Sequence, residues 1–301
     1  MTASIIITTK DRSNLLTQRA LKSALGQNYF DGYEIIVIDD AGTDNTPEVM
    51  EFYLKKHQNL SYIRLPENRG LSYARNYGIM RAKGEYIVCL DDDNELLPDF
   101  LTETIKEIGT FAAVGVGRTI KYKNFESYAL PSIGKFTAID WGWLIKKMVF
   151  DNIKYDEDLR ANEDADFGIR FFKFFTAKVI DLPLAIAFDM DDPKQSLSFP
   201  NERELKGIEF FLKKNLHEYE NESDELRYLY RLAGRKFYRG GFRLRGLGYF
   251  WKSFRAKIGL SSFLNLFFIL FGWTIYDIFM TITERITAKK YRYKHYRGND
   301  W

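Results

Sequence analysis

Strand and helix patterns alternate through the first ninety residues of the chain, and this alternation limits the fold more than any other feature. Short runs rich in β-branched residues and bounded by turn residues are typical of buried parallel strands. Segments of helical length separate these runs. The succession predicts an α/β domain with a Rossmann-like, mostly parallel sheet flanked by helices. The predicted strands span residues 4–9, 33–38, 61–65 and 86–90, and the predicted helices span 15–25, 46–56 and 71–82.

Polar side chains follow three of these strands directly. Thr9 ends the first strand, Asp39 and Asp40 end the second, and three aspartates at 91–93 follow the fourth. The carboxyl ends of parallel strands meet at one edge of a sheet, where ligands bind in open α/β folds. We therefore expect these side chains to form one ligand site.

The triplet Asp91, Asp92 and Asp93 indicates a metal site. Carboxylates packed this closely repel one another unless a cation compensates their charge. Mg²⁺ and Mn²⁺ prefer oxygen ligands, and proteins often hold Mg²⁺ with one or two carboxylates plus the phosphates of a substrate. The alternative is a solvated loop in which Asp93 or Asn94 caps the helix that begins near residue 98.

Asp40 and Arg75 are candidate nucleotide contacts. A carboxylate at the end of a strand can accept a hydrogen bond from the imide N–H of uracil or thymine, or from the N1–H and amino group of guanine. An arginine early in the helix predicted over 71–82 presents a planar fork of donors that suits diphosphate oxygens. The alternatives are an Asx turn for the aspartate and a solvated helical side chain for the arginine.

Glu163 and Asp164 stand at the start of another predicted helix, where a carboxylate also interacts favourably with the helix dipole. A hydroxyl group is a poor nucleophile at neutral pH, and a positioned carboxylate can take its proton while a new bond forms. The pair is therefore a candidate for general-base chemistry, with helix capping as the alternative.

Together, these segments resemble the family 2 glycosyltransferases, whose fold is called GT-A. The resemblance covers about residues 3 to 200, two-thirds of the chain. It implies an enzyme that moves a sugar from a nucleoside-diphosphate sugar to an acceptor hydroxyl, with a divalent cation, Mg²⁺ or Mn²⁺, as the cofactor. The matching segments, in their order along the chain, are 5–12, 37–44, 68–70 with 74–76, 84–86, 90–93 and 163–166.

The resemblance also implies roles for individual residues. Asp91 and Asp93 correspond to a D-x-D pair, with Asp93 as the direct metal ligand, and the metal would neutralise charge on the departing diphosphate. Asp164 corresponds to the general base of an inverting displacement. The implied nucleotide contacts are Thr9, Asp40, Arg75 and Asp92.

One element of the family pattern is missing from this sequence. Many members carry a histidine shortly before a Ser-x-Ser element, and the corresponding stretch here, 188–198, has no histidine. Asp191 or Asp192 is a candidate substitute, or Lys194 meets the diphosphate directly. Glu163, beside the predicted base, is a further candidate contact to the diphosphate or the acceptor.

Trp141 and Trp143 fall between the metal segment and the predicted base. Indole faces stack well on the C–H surface of a sugar, so the two side chains are candidates for an acceptor platform. Packing in the core is the alternative.

The chain changes character near residue 200, which separates a predicted catalytic domain, 1–200, from a helical C-terminal region, 201–301. Residues 226–301 hold 16 Lys and Arg against 3 Asp and Glu, a net charge of +13, so a total of +3 leaves −10 for the rest. Nucleic acid could bind this basic, aromatic region, and so could a membrane surface, through the attraction of anionic lipids and through aromatic anchors. The apolar stretch 260–283, between two basic stretches, favours the membrane surface. Asp277 interrupts its apolar stretch, 260–283, which predicts an in-plane helix or a shallow hairpin rather than a span. A helical subdomain packed against the body is the alternative.

These observations predict a glycosyltransferase at the inner, cytoplasmic face of the cell membrane, peripheral or monotopic. The single cysteine, Cys89, fits a reducing compartment. The predicted partners are a UDP- or dTDP-sugar donor, a glycan or polyprenyl-linked acceptor of the bacterial surface-polysaccharide type, and an anionic membrane surface, without nucleic acid.

Two other classes of protein stay open. A nucleotidyltransferase would share the sheet and the carboxylates, but it should carry a glycine-rich loop after the first strand, and 9–12 contains no glycine. A catalytically inactive nucleotide-sugar-binding or scaffold protein would have no need to keep clustered charge. Product formation separates these classes.

Overall fold

The computed structural model describes residues 2–121, 126–131, 133, 138–188 and 202–270. The chain divides into two compact units, Met1–Ser198 and Phe199–Trp301.

Nine strands of the described residues form one sheet in the N-terminal unit. Four of them run parallel in the order β3-β2-β1-β4, as the strand-helix alternation predicts. The sheet continues β8-β6-β9-β5, with β7 paired to β6 and with β8 antiparallel to both neighbours. The bounds are β1 Ala3–Thr9, β2 Tyr33–Asp39, β3 Leu60–Arg64, β4 Tyr86–Asp91, β5 Glu95–Leu96, β6 Ala113–Lys121, β7 Glu126–Ala129, β8 Trp143–Lys146 and β9 Ala177–Phe188.

The helices of this unit connect the strands. One prediction was wrong: the helix expected over 15–25 is two helices, because Arg19 leaves helical geometry with φ −119° and ψ −85°. The side chain of Arg19 donates to the backbone carbonyl of Asp93, at 3.1 Å from Nη1. The bounds are α1 Ser13–Gln18, α2 Ala20–Leu25, α3 Thr46–Leu54, α4 Leu71–Arg81, α5 Phe100–Ile108, α6 Val149–Asn152 and α7 Glu163–Phe174.

Helices cover both faces of the sheet, which is why every residue of β1 is buried. Ile5 and Ile7 belong to one core cluster, together with side chains of α2 and α5. Ile6 belongs to a second cluster, with side chains of α4 and α7. Successive strand residues point to opposite faces, so a continuous apolar run is what a doubly covered strand requires.

Strand register brings the polar strand ends together. Thr9 is paired with Asp39 on β2, and Thr8 is paired with Asp91 on β4. Three chain segments that are remote in sequence therefore end side by side at one edge of the sheet.

The C-terminal unit is helical over its described residues, as predicted. No helix in this part of the chain, or elsewhere in the described ranges, is both long and apolar enough to cross a membrane. The apolar stretch 260–283 is described only to residue 270, so the predicted in-plane helix or hairpin lies largely outside the described residues. The bounds are α8 Glu202–Asn215, a 3-10 helix Leu216–Tyr219, α9 Ser223–Arg239, α10 Arg243–Ala256 and α11 Leu260–Leu270.

Candidate active site

Arg12 joins the ends of β1 and β4. Its Nη1 lies 2.8 Å from Oδ1 of Asp92 and 3.0 Å from Oδ2 of Asp93. Thr9 donates from Oγ1 to Oδ2 of Asp92 at 2.8 Å. Burial, with Asp93 as a like-charged neighbour, raises the pKa of Asp92 to about 6 even though Arg12 opposes the shift. Thr9 and Asp92, each predicted as a nucleotide contact, are therefore in direct contact with each other, and Arg12 pairs with the same carboxylate.

Arg75 bridges the metal segment and α7. Its guanidinium is 3% exposed and donates from Nη2 to Asp91 at 2.7 Å and from Nη1 to Glu163 at 2.9 Å. Its plane lies near the ring of Tyr155, 5.2 Å from the centroid. Burial alone would lower the pKa of Arg75, but the two carboxylates outweigh it and raise the pKa. A direct contact with a nucleotide, which stays a prediction, would require this side chain to exchange one of these partners.

Asp164 lies in the first turn of α7, next to Glu163. The helix begins after Asn162, whose φ of 60° is a left-handed conformation that asparagine tolerates. Oδ1 of Asp164 accepts the backbone N–H of Ala165 at 2.8 Å. Burial raises the pKa of Asp164 to about 7, and the charges of Glu163 and Asp140 act in the same direction. A carboxylate with this pKa is matched to proton transfer near neutral pH.

Asp140 is a site residue that the sequence analysis did not single out. Arg118 holds its carboxylate in a two-pronged ion pair, with Nη1 at 2.8 Å from Oδ2. The neighbouring backbone N–H of Ile139 donates to the carbonyl of Asp164 at 3.3 Å. The segment before β8 is thus tied to the start of α7, and the charge of Asp140 acts on both Asp91 and Asp164.

Asp40 is 6% exposed and is engaged by the loop that precedes α4. Its carboxylate accepts the backbone N–H groups of Arg69 and Gly70, at 2.7 and 2.8 Å, and the side-chain amide of Asn68 at 2.6 Å. Gly70 has a φ of 91°, a conformation that favours glycine. Asp40 therefore fixes the entry to the helix that carries Arg75, and its predicted contact with a base stays a prediction.

The two tryptophans differ in environment. Trp143 is fully buried in the core cluster on the α4 face, and a Cβ at Gly115 would lie 2.8 Å from its ring. Trp143 is therefore a core residue, as the alternative held, because no face of its ring is open to a sugar. Trp141 is 7% exposed and carries the guanidinium of Arg118 at 4.6 Å from its ring centroid. Packing therefore describes Trp141 as well, beside Asp140.

The charges of the site suit an added cation. Six carboxylates interact here with three guanidinium groups, those of Arg12, Arg75 and Arg118. Asp93 and Asp91 retain partly exposed carboxylates, and oxygen donors are what Mg²⁺ and Mn²⁺ prefer. No group of three His, Cys, Asp or Glu in the described ranges forms a metal-binding cluster. The arrangement fits an ion held by one or two carboxylates together with phosphate oxygens.

Two predicted contacts, Asp192 and Lys194, lie outside the described residues. Among the described ones, the structure brings together Thr9, Asp92 and Arg12, and separately Asp91, Arg75 and Glu163. Arg12 comes three residues after the end of β1, so its nearness to the strand end was a signal that the sequence offered. Asp140 had a weaker signal, as an acidic residue beside the two tryptophans.

Solved structures share this fold. TarS 1–349 of S. aureus in complex with UDP has a TM-score of 0.63 and 18% sequence identity, over all of this chain and 95% of that one. The mannosyltransferase PcManGT from Pyrobaculum calidifontis, in complex with GDP-Man and Mn²⁺, has a TM-score of 0.60 and 18% identity, over 95% of this chain and 85% of that one. The sheet, its flanking helices and these likenesses define a glycosyltransferase fold of the GT-A class.

Sequence comparison identifies the family. The sequence model of Glycosyl transferase family 2 matches residues 4–178, more than half of the chain, and the chain belongs to that family. The poly-beta-1,6-N-acetyl-D-glucosamine synthase of Staphylococcus epidermidis is 32% identical over 131 residues, which are 42% of this chain and 30% of that protein. The chain spans less than two-thirds of the length of the curated relatives it matches.

Proposed function

We propose that this chain is an inverting, metal-assisted glycosyltransferase that moves a sugar from a nucleoside-diphosphate sugar to a hydroxyl of a glycan or lipid-linked acceptor. The observation that carries the proposal is the Arg75 bridge. It joins Asp91, beside the proposed metal ligand Asp93, to Glu163, beside the proposed base Asp164. A transferase must hold its leaving group and its nucleophile in a fixed relation, and the Arg75 bridge fixes the segment of the proposed metal ligands relative to the start of α7.

The chemistry assigns one step to Asp164. The acceptor oxygen attacks the anomeric carbon of the donor from the face opposite the diphosphate, while the carboxylate of Asp164 takes the hydroxyl proton. The bond between the anomeric carbon and the phosphate oxygen breaks, and the nucleoside diphosphate leaves with that electron pair. A divalent cation at Asp93, with Asp91 as a second ligand, would neutralise charge on the diphosphate.

The nucleotide would bind along the ends of β1, β2 and β4, with Thr9, Asp92 and Asp40 on its nucleoside side. UDP or dTDP is the favoured donor, since a carboxylate such as that of Asp40 accepts the imide N–H of uracil or thymine. The UDP and the GDP-Man bound in the two structural neighbours support a nucleotide at this fold. Lys194 and Asp192 remain candidates for the diphosphate contact.

The acceptor is proposed as a surface polysaccharide or its lipid-linked precursor, in agreement with the name of the synthase from Staphylococcus epidermidis. We propose a location at the inner face of the membrane, with contact through the C-terminal region. Its net charge of +13 over 226–301 supports this location, because anionic lipid attracts basic segments.

Product analysis tests the proposal. The full chain is incubated with Mn²⁺, a bacterial lipid and glycan extract, and UDP-, dTDP- or GDP-sugars in turn. We expect one donor to release nucleoside diphosphate, to give a product of inverted anomeric configuration by NMR, and to react about 10²-fold or more slowly with Asp164→Asn. In a parallel reaction with UTP or dTTP and a sugar 1-phosphate in place of the donor, release of inorganic pyrophosphate would indicate a nucleotidyltransferase. Nucleotide binding without turnover of any donor would indicate the inactive scaffold.

A further inference from the structure

Helix α10 exposes large apolar side chains along one face. Leu244 is 86% exposed and Trp251 is 52% exposed, and their separation of seven positions, about two helical turns, brings the two to the same side of the helix. Gly248 lies between them, with open space where a Cβ would be. Ile258, two residues after the helix ends, is 77% exposed. We call Leu244, Trp251 and Ile258 the α10 stripe.

The opposite face of α10 is fixed by packing. Gly246 lies so close to α9 that a Cβ would be 2.7 Å from the backbone nitrogen of Tyr238. Phe250 is buried against Gly234, and Ser253 donates to the carbonyl of Arg227 at 2.8 Å. The orientation of the helix is therefore set by these contacts, and Leu244 and Trp251 lie on the face that α9 leaves uncovered, with Ile258 exposed beyond the end of the helix.

Cations surround the stripe. Arg243, Lys252 and Arg255 are exposed on the same helix, and no acidic residue occurs from 227 to 257. Exposed apolar side chains flanked by Lys and Arg are the pattern of a helix that lies in a membrane interface. Helix α11 repeats the apolar part of the pattern, since Phe263, Phe267 and Leu270 are exposed at helical spacing.

We propose that the α10 stripe lies on an anionic lipid bilayer, with its apolar side chains at the headgroup level and its cations against lipid phosphates. This inference deepens the membrane contact proposed above and moves it to residues before 260. Single-stranded nucleic acid fits less well, because binding of that kind stacks bases on aromatic rings, and two of the three stripe residues are aliphatic. A second copy of this face would bring like charges together.

Vesicle sedimentation of the full chain tests the proposal. The vesicles are phosphatidylcholine with or without phosphatidylglycerol. We expect binding to the anionic vesicles only, and a loss of affinity of about tenfold or more for the double variant Leu244→Glu with Trp251→Glu. The matched control is Phe30→Glu, at a side chain that is 97% exposed in the N-terminal unit, which should bind like the wild type. Neutralising Arg243, Lys252 and Arg255 to Gln should weaken binding without changing thermal unfolding.

Several results would overturn the proposal. Equal vesicle binding by the double variant would exclude this surface. If the double variant loses RNA binding or concentration-dependent self-association, while its vesicle binding is unchanged, the stripe contacts RNA or a second copy of the chain instead of lipid. Nucleotide titration and donor turnover in vesicle-free solution are measured on the same variants. Failure of turnover in the wild type with intact vesicle binding would reject the proposed function and leave this inference standing.

Discussion

Asp164 carries the proton-transfer step of the proposed mechanism, and its environment makes its charge costly. The pKa of the group is raised to about 7, first by burial and then by Glu163 and Asp140. A folded-state pKa above the unfolded value means that this carboxyl stabilises the fold at low pH and that the stabilisation is lost as pH rises through about 7. The site therefore maintains a charge that folding alone would not favour.

The substitution Asp164→Asn should separate catalysis from stability. We expect transfer to fall by about 10²- to 10⁴-fold, the usual contribution of a general base, with nucleotide affinity retained. At pH 8 the free energy of unfolding should rise by about 1 to 3 kcal/mol, because a costly charge is removed. Turnover assays and urea denaturation measure the two effects.

Asp166, in the first turn of the same helix as Asp164, is the control for that experiment. Its buried carboxylate accepts a hydrogen bond from Nε of Arg170, at 2.8 Å. Asp166→Asn removes a paired charge and should lower the free energy of unfolding. A loss of stability in both variants would contradict the electrostatic account of Asp164.

The pH dependence of turnover should report Asp164. The acidic limb of kcat/KM should have an apparent pKa near 7, because burial and the charges of Glu163 and Asp140 raise the pKa of Asp164 to about 7. Asp140→Asn should move this limb to lower pH, because it removes a like charge and leaves Arg118 uncompensated. Asp151→Asn, an exposed acid on α6, should leave the limb unchanged. An unmoved limb in the Asp140 variant would mean that Asp164 is not the titrating group.

At the scale of residues, the sequence predicted the acidic strand ends and the carboxylates of α7. It did not predict what Arg75 contacts. The two partners of this arginine lie 16 and 88 positions away along the chain, and only the register of the sheet and the placement of α7 bring them together. A planar donor fork suits a diphosphate and a carboxylate equally, so residue type alone does not choose between them.

Helix α4 approaches the sheet through a glycine. A Cβ on Gly78 would lie 2.4 Å from Cγ2 of Ile6 and 3.2 Å from Cγ1 of Ile38. The helix that carries Arg75 thus rests directly on the side chains of β1 and β2, and the position of the guanidinium depends on this contact.

Gly78→Ala should therefore destabilise the fold by about 1 to 3 kcal/mol, as overpacking does, despite the better helix propensity of alanine. In this background, Ile6→Ala should cost less than it does in the wild type, because the added methyl group fills part of the cavity. Gly248→Ala, where a Cβ meets nothing within 4 Å, should instead stabilise by up to about 1 kcal/mol. Denaturation curves of the four variants measure these changes, and additive costs for Gly78 and Ile6 would contradict the packing described.

At the scale of elements, the parallel half of the sheet was predictable because three of its strands, β1, β2 and β4, contain continuous apolar runs and turn residues bound them. The other half was not predicted. β8 has only four residues and runs antiparallel between β4 and β6. β9 pairs in parallel with β6, and the register of this pair shifts near Gly117. A strand as short as β8 leaves little periodicity in the sequence, and the pairing of strands as distant as β6 and β9 leaves no local signal.

The whole molecule combines an acidic N-terminal part with a basic C-terminal part. Composition indicated this division, and the two compact units, Met1–Ser198 and Phe199–Trp301, agree with a division of the chain in this region. Composition did not indicate which face of the C-terminal unit is exposed, because that depends on how α9 and α10 pack.

The proposed mechanism requires this site to bind a nucleoside diphosphate through a divalent cation at Asp93. Calorimetric titration of UDP, dTDP, GDP and CMP, each with and without Mn²⁺, into the wild type and Asp93→Asn tests it directly. We predict that one nucleoside diphosphate, UDP or dTDP, binds in the presence of Mn²⁺ only, and that the variant loses this binding. Binding of no nucleotide under any condition, or equal binding with and without metal in both proteins, would contradict the account.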